Sequence, residues 1–114
     1  MEYFGVWTHA SFARAAGGSV SFSSFAQSSA SVAFEGTSIT WIYTKAFNRG
    51  IGAVKIDGVL QGELDQYSLK PEWQSRTVYD NLPRGWHKFE VTVTGRKRAE
   101  ATDRFVDVDE FVVR

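Results

Sequence analysis

The chain has 114 residues, a length typical of one domain with one hydrophobic core, so a second domain is not expected. Thirteen basic and thirteen acidic residues cancel, so no net charge draws the protein toward nucleic acid or an anionic membrane. The absence of cysteine excludes disulfides and thiolate metal sites, and no apolar run approaches the roughly 20 residues of a membrane helix.

The residues alternate between β-branched or aromatic and polar types along nearly the whole chain, which predicts strands and no long helix. In chain order, the predicted strands are 3–8, 19–25, 31–35, 38–43, 51–56, 60–66, 74–80, 86–94 and 104–113. About nine short antiparallel strands predict an all-β sandwich or jelly roll. A single module spanning residues 1–114 is expected, excised from a larger protein and monomeric by itself.

The first ten residues, MEYFGVWTHA, bear on export of the protein. An acidic residue at position 2 and a histidine within the apolar part make this stretch unlike a signal peptide. If the natural protein is exported, its signal is expected to have been removed.

The serine-rich residues 17–34 have two interpretations, a flexible linker or strands with serine on the wet face. Val20 and Phe22 alternate with serine, and Val32 and Phe34 alternate with small or acidic residues. This alternation favours strands over a linker.

The stretch AFNRGIGAVKIDG, residues 46–58, contains two spaced glycines that resemble a phosphate-binding loop. Such a loop needs a third glycine and a following helix, whose N-terminus holds the phosphate. Here a predicted strand follows, which argues against nucleotide binding. Instead, Gly50 is expected to close a loop, and Gly52 to pack closely against a crossing strand or bulge.

The dipeptide Asp57-Gly58 predicts a hairpin turn between two of these strands. A two-residue loop would pair Ile56 with Val59 and divide the apolar residues between both faces of the hairpin. A three-residue loop pairs Ile56 with Leu60 and Val54 with Gly62, which restores one apolar face. The pattern therefore favours the three-residue loop.

Three segments in order, GTSITWIYTKAFNRGIGAVKIDGVLQGELDQYS, LPRGWHKFEVTVTGRKR and FVDVDEFVV, resemble the galactose-binding-domain-like jelly rolls. These occur as carbohydrate-binding modules in bacterial extracellular enzymes and surface proteins. The resemblance implies a non-catalytic, extracellular or cell-surface module that binds oligo- or polysaccharide through loops or one sheet face. It does not indicate which sugar is bound.

If consecutive strands alternate in direction, the loops 44–50, 67–73 and 95–104 lie at one end of the molecule, and tight turns lie at the other. The three loops hold seven basic and three acidic residues, an excess of four positive charges. A cationic end favours a carboxylate- or sulfate-bearing glycan, although solvated loop charges are an equal alternative.

Aromatic side chains supply flat surfaces on which sugar rings stack. Trp41 and Trp7 are predicted to be packed, Trp86 to cover a sheet edge, and Trp73 to stack on a sugar or to plug the core. The predicted ligand-binding residues are Lys45, Asn48, Arg49, Tyr67, Trp73 and Arg98. Arg49 is expected to project from its loop, so that its replacement leaves the melting temperature nearly unchanged.

Catalytic and metal chemistry find little support in the sequence. His87 shares the parity of apolar residues and is interpreted as a hydrogen-bonded, buried histidine. Asp107 and Asp109 lie two positions apart but show no spacing typical of a catalytic acid and base, so no enzyme is predicted. Related jelly rolls often hold a structural calcium near the chain ends, and Glu2 with either aspartate is a poor match. No metal or other cofactor is therefore predicted.

Two functions from different classes stay open. One is a glycan-binding module that tethers a larger protein to polysaccharide. The other is an adhesive or structural protein-interaction module of the same fold, which a broad apolar patch or a long unpaired strand edge would favour.

Overall fold

Eleven strands are present in residues 2–11 and 18–114, the residues that the computed structural model describes. They are β1 (Glu2–Phe4), β2 (Thr8–Ser11), β3 (Ser19–Ser23), β4 (Ser29–Glu35), β5 (Ile39–Lys45), β6 (Ile51–Ile56), β7 (Val59–Asp65), β8 (Glu72–Tyr79), β9 (Trp86–Val93), β10 (Val106–Val108) and β11 (Glu110–Val113). All paired strands are antiparallel, which confirms the predicted all-β jelly-roll sandwich. In this part of the chain, no helix is long and apolar enough to cross a membrane.

The strands form two layers around one apolar core. One layer is a five-stranded sheet in the order β1-β4-β9-β6-β7. The other consists of two three-stranded sheets, β10-β3-β2 and β11-β5-β8, which are joined because only Asp109 separates β10 from β11. The predicted strand 104–113 is therefore divided at Asp109, and the predicted strand 3–8 is interrupted at Gly5, where φ is 89°.

The core confirms several residue assignments. Trp41 is fully buried, with its ring centroid 6.2 Å from that of Phe89 in the opposite layer. Trp7 packs against the core, as predicted. Except for residue 17, which lies outside the described residues, the serine-rich stretch contributes β3 and β4, so the strand interpretation is correct and the linker interpretation is wrong.

Gly50 and Gly52 of the 46–58 stretch lie in close contact with neighbouring residues. A Cβ atom at Gly52 would lie 3.0 Å from a methyl group of Val91 and 3.2 Å from one of Val106. At Gly50 it would lie 2.7 Å from the carbonyl oxygen of Arg104, which is closer than carbon and oxygen approach without strain. Gly50 therefore leaves no space for a side chain, and Gly52 packs closely against its neighbours, as the sequence predicted for Gly52.

The β6–β7 hairpin corrects the predicted register. Asp57 and Gly58, with φ of 53° and 79°, form a two-residue turn, and Ile56 pairs with Val59. A bulge between Val54 and the next residue then brings Val54 opposite Gly62, as predicted. The bulge, and not a longer loop, supplies the one-residue shift.

Trp86 and His87 lie side by side at the start of β9. Trp86 is 70% exposed on the central strand of the five-stranded sheet, so the prediction that it covers a sheet edge is wrong. The His87 side chain is only 8% exposed, and its two ring nitrogens lie 2.6 Å from an Asp57 carboxylate oxygen and 2.6 Å from the Pro83 carbonyl. The prediction of a hydrogen-bonded histidine is confirmed, although the residue as a whole is half-buried.

The contact between His87 and Asp57 predicts a pH dependence of stability. The hydrogen bond to Asp57 raises the pKa of His87, and the same bond lowers the pKa of the Asp57 carboxyl. The contribution of His87 is therefore complete below about pH 6.5 and is lost as pH rises through its raised pKa, whereas that of Asp57 is complete above about pH 4. Asp57→Asn, which preserves the turn, is expected to lower the melting temperature more at pH 5.5 than at pH 8.5.

Thermal melts at both pH values check this prediction, with Glu35→Gln, at an exposed position of β4, as the control. If Asp57→Asn lowers the melting temperature equally at pH 5.5 and 8.5, the charges of His87 and Asp57 do not contribute to stability.

Candidate functional site

Three loops meet at one end of the sandwich, as the alternation of strand direction predicted. The loop 46–50 lies between the other two. The amide of Thr102 donates to the carbonyl of Phe47 at 2.9 Å, and the amide of Ser68 donates to the carbonyl of Ala46 at 3.1 Å. Backbone hydrogen bonds therefore hold this end in one arrangement.

A small pocket of about 170 Å³ opens at this end. Most of its wall is apolar, and Phe22 and Phe105 meet edge to face with ring centroids 5.3 Å apart. Two polar side chains, Asn48 and Arg49, supply the rest. The lining residues are Val20, Phe22, Asn48, Arg49, Trp73 and Phe105.

Arg49 is a fixed part of the pocket wall. Its side chain is 13% exposed, and its Nη2 lies 3.0 Å from a carboxylate oxygen of Asp107. Its Nε donates to the carbonyl of Thr44 at 3.2 Å, and its Nη1 donates to Oδ1 of Asn48 at 2.5 Å. The expectation that Arg49 projects freely from the loop is therefore wrong. Its partner Asp107 lies in β10, 58 positions along the chain, so the local sequence does not indicate this ion pair.

Asp107 anchors a polar network behind the pocket. Its side chain is fully buried and accepts hydrogen bonds from Arg49 and from the amide of Thr44, the latter at 2.9 Å. Its backbone exchanges two hydrogen bonds with the buried side chain of Gln66, at 2.8 and 3.0 Å. Every polar atom of the Asp107 side chain is thus satisfied, as burial requires.

Asp109 lies beside this network, and its hydrogen bonding differs from that of Asp107. Its Oδ2 accepts a hydrogen bond from the hydroxyl of Thr44 at 2.9 Å, whereas its Oδ1 is buried and accepts no hydrogen bond from an N–H or hydroxyl group of the described residues. Burial, hydrogen bonding to Asp107 and the negative charge of Asp107 together raise the pKa of Asp109 to about 9. The raised pKa favours the protonated form of Asp109 at neutral pH.

The structure places the predicted ligand-binding residues in a group of three, a pair and one separate residue. Asn48, Arg49 and Trp73 line the pocket together. Arg98 lies over the ring of Tyr67, 5.0 Å from its centroid, so the cation covers one face of that ring. Lys45 lies in β5 and is not among the lining residues.

Several residues of the site were not predicted from the sequence. Val20, Phe22 and Phe105 form its apolar wall, Thr44 accepts a hydrogen bond from Arg49, and Gln66 holds the backbone of Asp107. Alternation in the serine-rich stretch indicated that Val20 and Phe22 share a face, but it gave no sign that this face meets the loop end. The position of this face depends on strand pairing between distant parts of the chain, which the local sequence pattern does not indicate.

Carboxylates that lie outside the three loops offset the positive charge of the loops. Arg49 pairs with Asp107, Arg98 pairs with Asp65 at 3.1 Å, and Arg96 pairs with Glu63. These three carboxylates belong to β10 and β7, so a count of loop residues alone omits them. With them included, the excess of four positive charges falls to one.

Asp107 and Asp109 do not form a calcium site with Glu2. The oxygens of Asp107 are taken by Arg49 and Thr44, while Glu2 is exposed on the edge strand β1. In residues 2–11 and 18–114, no group of three or more His, Asp or Glu residues has the geometry of a metal site. The calcium arrangement considered from the resemblance therefore does not fit these residues.

Comparison with known proteins gives a structural likeness. No protein-family model matches the chain, and no curated protein matches its sequence. A solved structure, the xanthan lyase of Paenibacillus, contains a similar part, with a TM-score of 0.75 and 17% sequence identity. The similar region covers 97% of this chain and 12% of the lyase chain. At this identity the likeness shows the fold alone.

Proposed function

We propose that this chain is a non-catalytic, galactose-binding-domain-like module that binds glycans and tethers a larger extracellular or surface protein to polysaccharide. The observation that carries the proposal is the pocket at the loop end, where the Trp73 ring lies beside the polar groups of Asn48 and Arg49. An aromatic wall covers the apolar face of a sugar, and fixed polar groups bind its oxygens.

The size of the pocket favours one sugar residue as the unit that is bound. Its 170 Å³ is small beside the roughly 300–1,000 Å³ of sites for drug-sized molecules. A site for one ring makes few contacts, so we expect a dissociation constant of about 10 μM to 1 mM. Weak single-site binding is suited to a module that acts beside a larger partner on the same polymer.

The likeness to part of a polysaccharide lyase supports this proposal. The matched region is a small part of the lyase chain, which agrees with a separate accessory unit. In this chain the adjacent acids are also unsuited to catalysis, because Asp107 is fully buried in an ion pair with Arg49. The module is therefore proposed to bind glycan and not to cleave it.

A protein-interaction module is a second candidate, favoured by exposed apolar groups. Edge strand β7 is unpaired on one side, and Val59 and Leu60 in it are 62% and 59% exposed. Phe4 and Phe25 are also exposed. Retained partner binding in a variant that has lost the pocket would favour this candidate.

Trp73→Ala is expected to weaken glycan binding about tenfold or more, because it removes the ring against which the sugar packs. Titration calorimetry with the glycan selected on an array measures the change, and a thermal melt shows whether the fold is kept.

Trp86→Ala is the matched control, since Trp86 is exposed on the five-stranded sheet and lies at the opposite end of the molecule. The affinity of Trp86→Ala for the glycan is expected to equal that of the unmodified protein. If Trp73→Ala binds normally, or only Trp86→Ala loses binding, the pocket is not the glycan site.

A further inference from the structure

The proposed pocket has a cation in its wall but no surplus charge. Arg49 is the charged residue among those that line it, and Arg49 is already paired with the buried carboxylate of Asp107. Asp109 adds no positive charge in either protonation state. A ligand in the pocket therefore meets a neutral group of side chains.

The other basic residues of the three loops do not line the pocket; they are Lys45, Lys70, Arg96, Lys97, Arg98 and Arg104. Arg96 and Arg98 are paired with Glu63 and Asp65, two carboxylates of edge strand β7. These pairs are partly exposed, so salt and water screen what remains of their field. The cationic loops seen in the sequence thus do not form a cationic pocket.

The polar groups that remain in the wall are hydrogen-bond donors. Oδ1 of Asn48 is occupied by Nη1 of Arg49, which leaves the Asn48 side-chain N–H groups for a ligand. The Arg49 guanidinium has five N–H groups and uses three of them on Thr44, Asn48 and Asp107. The pocket therefore offers donors within an apolar wall.

Such a wall suits the oxygens of an uncharged sugar and disfavours a carboxylate. A hydroxyl, ring or carbonyl oxygen accepts a hydrogen bond without a large desolvation cost. A carboxylate loses its hydration on entering an apolar pocket and finds no unpaired cation there to offset that loss.

We propose that the pocket binds an uncharged sugar residue and discriminates against the corresponding uronic acid. This inference rests on the proposed function and replaces the acidic-glycan preference expected from the loop charges. The expected discrimination is at least about tenfold in affinity, and binding of the uncharged sugar should change less than about twofold between 50 and 500 mM salt.

Matched sugar pairs test the inference. The methyl glycosides of glucose, galactose and mannose are compared with those of glucuronate, galacturonate and mannuronate by NMR titration of backbone amides at 50 mM salt. Perturbation of the Asn48 and Arg49 amides by an uncharged member, at a dissociation constant at least tenfold below that of its uronate, supports the inference.

Asp107→Asn removes the charge that neutralises Arg49. If the variant folds, the ratio of uronate to uncharged-sugar affinity should rise about tenfold. If it does not fold, the comparison on the unmodified protein decides alone.

The outcomes separate the two proposals. Equal or tighter binding of a uronate at these amides overturns the inference and leaves the glycan-binding function intact. No amide shift with any of the six glycosides, together with no retention on native gels cast with neutral or acidic polysaccharides, overturns the proposed function and the inference with it.

Discussion

Replacing Arg49 by methionine is expected to lower the free energy of unfolding by about 3 kcal/mol. Removal of one partner of a buried ion pair leaves the other charge uncompensated, which typically costs roughly 3–5 kcal/mol. Here the remaining partner, Asp107, is fully buried. The variant also removes the donors to the Thr44 carbonyl and to Asn48 Oδ1. Urea unfolding at pH 7 measures the loss.

Arg96→Met is the matched control, because Arg96 is 57% exposed and pairs with the partly exposed Glu63. Its loss of stability is expected to be much smaller than that of Arg49→Met, because water and salt screen an exposed ion pair. The double variant Arg49→Met with Asp107→Leu should recover much of the Arg49→Met loss, since no buried charge then remains unpaired. A stability of Arg49→Met within about 0.5 kcal/mol of the unmodified protein would show that the ion pair is not an important contribution.

The contrast between Trp41 and Arg49 shows what the sequence reveals about this fold. Trp41 shares parity with Ile39 and Tyr43, and all three are buried, because a strand sends alternate side chains to one face. The partner of Arg49 lies 58 positions along the chain, and no local periodicity indicates it. Strand parity therefore predicted the core correctly, but the role of a polar loop residue depended on a distant strand.

The hairpin at Asp57-Gly58 shows a similar limit. The dipeptide predicted the turn, and Val54 was correctly paired with Gly62. The predicted loop length was wrong, because a bulge in β7 supplies the one-residue shift. Val59 and Leu60, between the turn and the bulge, are both exposed. On an edge strand such exposure is tolerated, so the requirement for one apolar face was too strict a criterion.

The sequence predicted in part that Asn48, Arg49 and Trp73 would lie together in the pocket. The loop with Asn48 and Arg49 was correctly assigned to the same end as Trp73, which follows from strand direction alone. The charges of that end were misjudged, because the carboxylates of Asp65, Glu63 and Asp107 come from strands. Side-chain pairing across the fold, and not loop composition, determines the local field.

Asp109→Asn is expected to stabilise the protein, increasingly so as pH rises from about 4 to about 9. Burial and the neighbouring Asp107 raise the pKa of Asp109 to about 9, so the folded state retains a proton that the unfolded chain releases. The stability associated with this group is complete below about pH 4 and is lost as pH rises through about 9. Asparagine carries no charge and avoids this loss.

The size of the gain is expected to be about 2 kcal/mol at pH 8, a value reduced for the partial exposure of the side chain and its screening by water. The asparagine amide preserves a donor toward Asp107, and its oxygen preserves an acceptor for the Thr44 hydroxyl, so the packing is unchanged. Urea unfolding at pH 5, 6.5 and 8 measures the gain. Asp80→Asn, at an exposed position, is the control and should show no such slope. A gain that is equal at all three pH values would mean that Asp109 does not bind its proton more tightly in the folded state. A loss of stability at pH 8 would mean that its carboxylate is needed there, as a partner for Arg49 beside Asp107.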